Sequence, residues 1–367
     1  MSCDYRALAT SGVQGLQPYL PGKPAEELQR ELGLASVVKL ASNENPLGVS
    51  GKVKAALAAE LDAVALYPDS AGYHLKQALS QQFDLPVTQL TLGNGSNDVL
   101  ELIAKAYLQP GAEVIYSEYA FLVYALVTQA CGAKAIVTAA KDWGHDLQGM
   151  AAAITNKTRL IFLANPNNPT GTWFTQAELE VFMAQVPEQV LVVLDEAYTE
   201  YVLDSGFPDG LVLQKRYRNL VVTRTFSKAY GLAGLRIGYA VSDPQVADIL
   251  SRVRQPFNVS SLGLVAATAA LADADFLART QRCNQAGMRQ MEAGLAVLGL
   301  PWIPSAGNFI TVDMQQPAGP VYQAMLTRGV IVRPLANYGM PEHLRISIGR
   351  PEDNARCLDV LKEVLDS

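Results

Sequence analysis

Charge is sparse in this chain. Acidic and basic side chains make up 17% of its 367 residues, and 29 Lys and Arg stand against 35 Asp and Glu, a net charge of −6. No run of basic residues offers a stripe for a phosphate backbone, so nucleic acid is not an expected partner. Histidine is scarcer: His74, His145 and His343 are all there is, and none lies at ligand spacing from another. The four cysteines, Cys3, Cys131, Cys283 and Cys357, are scattered with no CxxC pair. That distribution argues against a zinc site or a disulfide framework, and no metal is expected. No apolar run reaches the roughly 18 residues that read as a membrane span. Nor does the N-terminus carry a basic segment followed by an apolar one. The expectation is a cytoplasmic protein with no membrane partner.

What the chain does have is apolar residues, 49% of the total. At this length they exceed what one core ordinarily holds, so two domains are expected. Residues 1–50 are rich in turn formers around one short helix, Pro24 to Leu32, stopped by Gly33, and read as an arm. Residues 51–255 alternate apolar runs with helical patterns. The runs are "LTLGN", "EVIYSE", "AKAIVTAA", "TRLIFLANP", "QVLVVLDEAY", "LVVTRTFS" and "RIGYAVS". Continuous apolar strands between helices mean burial on both faces and a mostly parallel sheet. Residues 256–367 read as a smaller α+β domain: two long helical stretches between Ser261 and Leu298, then "NFITVDM", "GVIVRPL", "HLRISIG" and a final helix from Pro351.

Four segments carry chemistry. In "VVLDEAY" (192–198) an acid ends a buried strand, where open α/β sheets bind their ligands. A magnesium site of an NTPase shares that pattern, but it needs GxxxxGK[ST] upstream and the chain has none. In "TRTFSKAYGLAGLRIGY" (223–239) Lys228 follows another strand among hydroxyls, with Arg236 eight residues on. Hydroxyls and an arginine suit a phosphate dianion, and a lysine of lowered pKa beside them suits attack on a carbonyl. In "NPNNPTG" (165–171) two Asn-Pro steps follow a strand, and a cis Asn168-Pro169 bond would hold an amide toward a ligand. In "GNGSNDVLEL" (93–102) a glycine turn opens directly into a helix, whose first amides bind phosphate. The dinucleotide fingerprint is excluded there, because Asp98 stands where its third glycine belongs.

In this order the four segments resemble the fold-type-I pyridoxal-phosphate aminotransferases, over essentially the whole chain. The resemblance implies an α/β fold with a mostly parallel seven-stranded sheet flanked by helices, and pyridoxal 5′-phosphate as cofactor. It makes Lys228 the covalent anchor and the carrier of the Cα proton. Asp195 pairs with the pyridine nitrogen, and Tyr198 and Asn168 touch the ring hydroxyl. Thr225, Ser227, Arg236, Ser96 and Asn97 hold the phosphate. Tyr119 stacks on the ring, with Phe121 and Tyr124 as alternatives.

The arm and the C-terminal segments narrow the resemblance. "LQPYLPGKPAEELQRELGL", "KLASNENPLG", "LYPDS", "GVIVRPL" and "HLRISIG" are similar to segments of the histidinol-phosphate aminotransferases. By that likeness Tyr19, Arg333 and Arg345 grip the substrate phosphate, and Arg345 also holds a carboxylate of glutamate. Forked guanidinium hydrogen bonds suit both groups. Asn168 also faces the substrate. Tyr67 reaches across a homodimer interface to the neighbour's cofactor phosphate. The implied reaction converts histidinol phosphate and 2-oxoglutarate to imidazole-acetol phosphate and glutamate, in histidine biosynthesis. An aromatic amino-acid aminotransferase and a threonine-phosphate-type decarboxylase are the alternatives on the same fold.

Overall fold

The structure, a computed structural model, describes residues 3–18 and 22–366. Seven strands form the main sheet: β1 (Leu90–Gly93), β2 (Glu113–Ser117), β3 (Lys134–Thr138), β4 (Thr158–Ala164), β5 (Leu191–Asp195), β6 (Leu220–Thr225) and β7 (Gly238–Val241). They are the seven apolar runs of the sequence. Their spatial order is β1-β7-β6-β5-β4-β2-β3, and only β7 runs antiparallel to its neighbours.

Alternation along each strand sends successive side chains to opposite faces. Leu160, Phe162 and Ala164 join one apolar cluster and Ile161 and Leu163 the other. Each large apolar side chain contributes about 1.5–3 kcal/mol on burial, which explains the expectation that these strands read as largely apolar runs. Strand β3 departs from that expectation. It lies at the sheet edge with Val137 half exposed.

The pairing register gathers the chemistry at one edge. Asp195 pairs with Ala164 on one side and Thr223 on the other, and Gly238 pairs with Thr225 and Gly93. The carboxyl ends of β1, β4, β5 and β6 and the start of the reversed β7 therefore lie together.

A second, antiparallel sheet holds β8 (Trp302–Ile303), β9 (Phe309–Asp313), β10 (Arg333–Leu335) and β11 (Met340–Ser347), in the order β8-β9-β11-β10. Its core of Ile310, Val312, Leu344 and Ile346 packs on Met291, Leu295, Val360 and Leu361. Those four come from the helices Ala274–Val297 and Pro351–Leu365.

Two features differ from the sequence reading. The helix Ser261–Leu271 lies beyond the expected boundary at 255, yet Ala266, Ala267 and Ala270 belong to the core of the main sheet. It packs along the helix Gly51–Glu60. A stripe of alanines permits that close approach but carries no signal of which core it joins. The arm is also tied down. Val38–Lys39 pairs in parallel with Val330–Ile331, and Leu40 continues the ladder to Ile331 and Ser347. This lays residues 41–44 against the second sheet.

Candidate active site

A cavity of about 270 Å³ opens at the sheet edge just described, and both sheets wall it. Asp195 lines it and is buried, as the last residue of a central strand must be. Burial pushes its carboxyl up to about 6, against the pull of hydrogen bonds and the nearby Lys228 charge. The Tyr124 hydroxyl donates to Oδ2 at 2.9 Å and the Thr223 hydroxyl to Oδ1 at 3.1 Å. The next residue, Glu196, faces the other side of the sheet. There it forms a buried ion pair with Arg224 at 2.7 Å. The two acids of "VVLDEAY" thus separate by strand alternation into one that faces the cavity and one in the core.

Lys228 lies in the loop after β6. Its Nζ donates to the Ser42 carbonyl at 3.1 Å. Burial and the positive charges of Arg345 and Arg236 lower its pKa to about 8, against the attraction of Glu44 and Asp195. Near neutral pH a useful fraction is therefore the free amine.

One corner of the cavity is built for a dianion. The helix Ser96–Tyr107 starts there, and Ser96, Asn97, Thr225, Ser227 and Arg236 line it. Arg236 Nη1 donates to the Ala233 carbonyl at 3.0 Å and to the Ser227 hydroxyl at 3.3 Å. The corner needs glycines. Gly95 has φ +88°, and a Cβ on it would stand 2.5 Å from Arg236 Nη2. A Cβ on Gly238 would stand 2.4 Å from the Ser96 amide.

The opposite sheet supplies two buried arginines. Arg333 and Arg345 are cross-strand partners on β10 and β11, and both line the cavity. Arg345 donates to the Asn168 side-chain oxygen and, at 2.9 Å, to the Ala41 carbonyl, with its guanidinium over the Phe309 ring. Both Asn-Pro bonds of the 165–171 turn are cis. Tyr198 accepts from Asn43 Nδ2 at 2.9 Å, and burial raises its phenol to about 12.

The structure therefore brings Lys228, Asp195, Tyr198, Asn168, Thr225, Ser227, Arg236, Ser96, Asn97, Arg333 and Arg345 to one cavity. Three other expected residues are not in this group. Tyr119 is not in the cavity wall: its ring packs against Trp143, with centroids 5.2 Å apart, while Phe121 lines the cavity. The helix begins at Leu122, so the turn before it, and not the sequence position, decides which aromatic faces inward. Tyr67 is 84% exposed, stacked on Phe257 outside the cavity. Tyr19 falls outside the described residues. Sequence reasoning gave no role to Asn43, Glu44 or Tyr338, which also line the cavity. Only the "KLASNENPLG" segment signalled the first two.

These residues fit pyridoxal phosphate. A dianion corner that two Cβ atoms would fill, an amine of lowered pKa and a buried carboxylate answer the phosphate, the aldehyde and the ring nitrogen respectively. Fold and site define a fold-type-I aminotransferase that uses pyridoxal 5′-phosphate. The aminotransferase class I and II family profile matches residues 35–361. Histidinol-phosphate aminotransferase 2 of Pseudomonas fluorescens is 59% identical over 367 residues, covering 100% of this chain and 99% of the relative. The Pseudomonas aeruginosa protein of the same name is 59% identical, covering 99% of each chain. The solved histidinol-phosphate aminotransferase of Sinorhizobium meliloti, in complex with pyridoxal-5′-phosphate, superposes with a TM-score of 0.89 at 30% identity and 97% coverage of both chains. The chain belongs to the histidinol-phosphate aminotransferases within the class I and II aminotransferase family.

Proposed function

We propose that the enzyme exchanges an amino group between histidinol phosphate and 2-oxoglutarate, as a step of histidine biosynthesis. The observation that carries this reading is the pair of buried guanidiniums, Arg333 and Arg345, facing the same cavity as Lys228. They give the amino substrate's phosphate a second anion site, separate from the Ser96–Arg236 corner. The carboxylate of glutamate uses Arg345 in the other half-reaction.

Pyridoxal phosphate, when bound, supplies an aldehyde that takes up the amino group and a ring that draws off the electrons released at Cα. The chain's own residues do the rest. The Lys228 amine, whose pKa burial and neighbouring cations lower, takes the proton from substrate Cα in its neutral form and returns it. Asp195 holds the proton on the ring nitrogen. Tyr198 and Asn168, each fixed by one hydrogen bond, address the ring hydroxyl. Phe121 covers the ring face.

Tyr67 acts in a homodimer, contributing to the neighbour's cofactor phosphate. In support, Leu61, Val64 and Leu66 are exposed beside it on the same segment. A monomer in sedimentation would remove this role. No single helix among the described residues is long and apolar enough to cross a membrane, and we place the enzyme in the cytoplasm.

Half-reaction spectra test the substrate. Histidinol phosphate is expected to bring about the change in cofactor absorbance with far greater efficiency than phenylalanine. The reverse preference would refute the assignment, and release of carbon dioxide would point to a decarboxylase. Arg345→Ala is expected to raise the KM of both histidinol phosphate and glutamate about tenfold or more.

A further inference from the structure

We infer that Tyr124 is a positioning residue for the cofactor's ring nitrogen, acting through Asp195 to keep the shared proton on the ring. This deepens the reading of Asp195 given above and rests on it.

Tyr124 does not line the cavity. It is fully buried behind it, one turn into the helix Leu122–Ala130. Its ring lies flat on Phe162, with centroids 4.6 Å apart and planes 2° from parallel. Phe162 belongs to β4, the strand beside β5. The phenol is thereby aimed along the sheet at the end of β5, where it donates to Asp195 Oδ2 at 2.9 Å. Burial and the adjacent Asp195 charge hold the Tyr124 phenol well above its ordinary range, so it stays a donor at every pH the enzyme meets.

The donor has a task because burial works against the carboxylate. Even with its hydrogen-bond donors in place, burial holds the Asp195 carboxyl at about 6, close to the basicity of a pyridine nitrogen. At such a match a proton between the two is shared, and a half-protonated ring accepts electrons less well. Two hydroxyl donors, Tyr124 on Oδ2 and Thr223 on Oδ1, favour the anion together with the Ala197 backbone amide, and losing one of them lets the carboxyl rise further and draws the proton away from the ring. The other titratable neighbours are Lys228 and Tyr198. Lys228 becomes neutral near pH 8 and then no longer assists. Tyr198 stays un-ionised, its hydroxyl engaged by Asn43. Tyr124 and Thr223 are thus the side chains whose support does not vary with pH, beside the Ala197 amide.

A hydrogen bond to a charged group is worth enough that losing it raises the carboxylate's proton affinity about ten- to a hundredfold. The test is Tyr124→Phe, which keeps the ring and its stack on Phe162. The holoenzyme is loaded with pyridoxal phosphate carrying ¹⁵N in the ring, and the nitrogen resonance is recorded. The expected result is a shift from the protonated toward the unprotonated pyridine position. The half-reaction rate should fall about tenfold with KM little changed. Enzyme loaded with the analogue that has carbon in place of the ring nitrogen should show equal half-reaction rates with and without the Tyr124 hydroxyl. Thr223→Val, which leaves the stack untouched, should move the nitrogen signal in the same direction and provides the reading if Tyr124→Phe folds poorly. An unmoved signal in Tyr124→Phe overturns the inference. So does an equal loss of rate with the analogue, which would mark the tyrosine as structural. Asp195→Ala separates the two claims. If that variant retains the protonated signal, the role of Asp195 fails; if it loses the signal while Tyr124→Phe does not, only the role of Tyr124 fails.

Discussion

Lys228→Met should stabilise the cofactor-free protein near neutral pH, and its effect should reverse at high pH. The native pKa of Lys228 is about 8, against an ordinary 10.5. The unfolded chain therefore binds its proton more tightly than the native one. Below pH 8 the lysine is charged in both states and its burial costs the fold about 3 kcal/mol. Between pH 8 and 10.5 only the unfolded chain holds the proton, so wild-type stability rises with pH and the cost disappears. Methionine fills most of the side chain's path, one atom shorter and without the charge, but it loses the bond to the Ser42 carbonyl, worth about 1 kcal/mol. The net expectation is a gain of about 2 kcal/mol at pH 7, falling to a loss of about 1 kcal/mol above pH 10.5. Urea unfolding of cofactor-stripped wild type and variant, at equal protein concentration across this range, reads the difference directly. Other groups titrate at high pH in both proteins and cancel in that difference. A gap that stays constant from pH 7 to 10.5, or a variant less stable at pH 7, would refute the claim that the buried ammonium is destabilising.

Two further predictions concern the walls of the cavity. Gly95→Ala would force a Cβ into the Arg236 guanidinium at a backbone φ of +88°. Pyridoxal phosphate affinity by equilibrium dialysis should drop about tenfold or more, and an unchanged affinity would show that Arg236 does not hold the phosphate. Phe121→Ala should also weaken cofactor binding about tenfold, while Tyr119→Ala should leave it within about twofold; the opposite pattern would restore Tyr119 as the stacking residue.

The strands of the main sheet were legible because their signal is local. A buried strand is a run of apolar residues, and each of the seven runs became a strand of the main sheet, although β7 runs antiparallel and β3 lies at the exposed edge. The cofactor lysine, the strand-end acid, the Asn-Pro turn and the glycine turn were legible for a related reason. Each sits within a few residues of a strand end, and the sheet collects those ends at one edge. What the sequence could not show depended on contacts between distant segments. Asn43 meets Ser347, 304 positions away, because the arm adds a short strand beside Val330–Ile331. The choice of Phe121 over Tyr119 depended on where a helix starts, and a run of apolar and aromatic residues carries no cap to mark that point. The helix Ser261–Leu271 joined the main core although it follows the expected boundary, since small apolar residues suit either core equally.

Chain order alone therefore determined that a lysine, an acid and a dianion corner share one sheet edge, because strand direction and alternation are properties of local sequence. Tertiary packing decided the charge states that make the edge chemical. Burial lowered Lys228 and raised Asp195, and Tyr124, three residues past the ring-facing Phe121, came to hold the carboxylate. Desolvation and hydrogen-bond partners are properties of the assembled interior, and no segment of the chain carries them by itself.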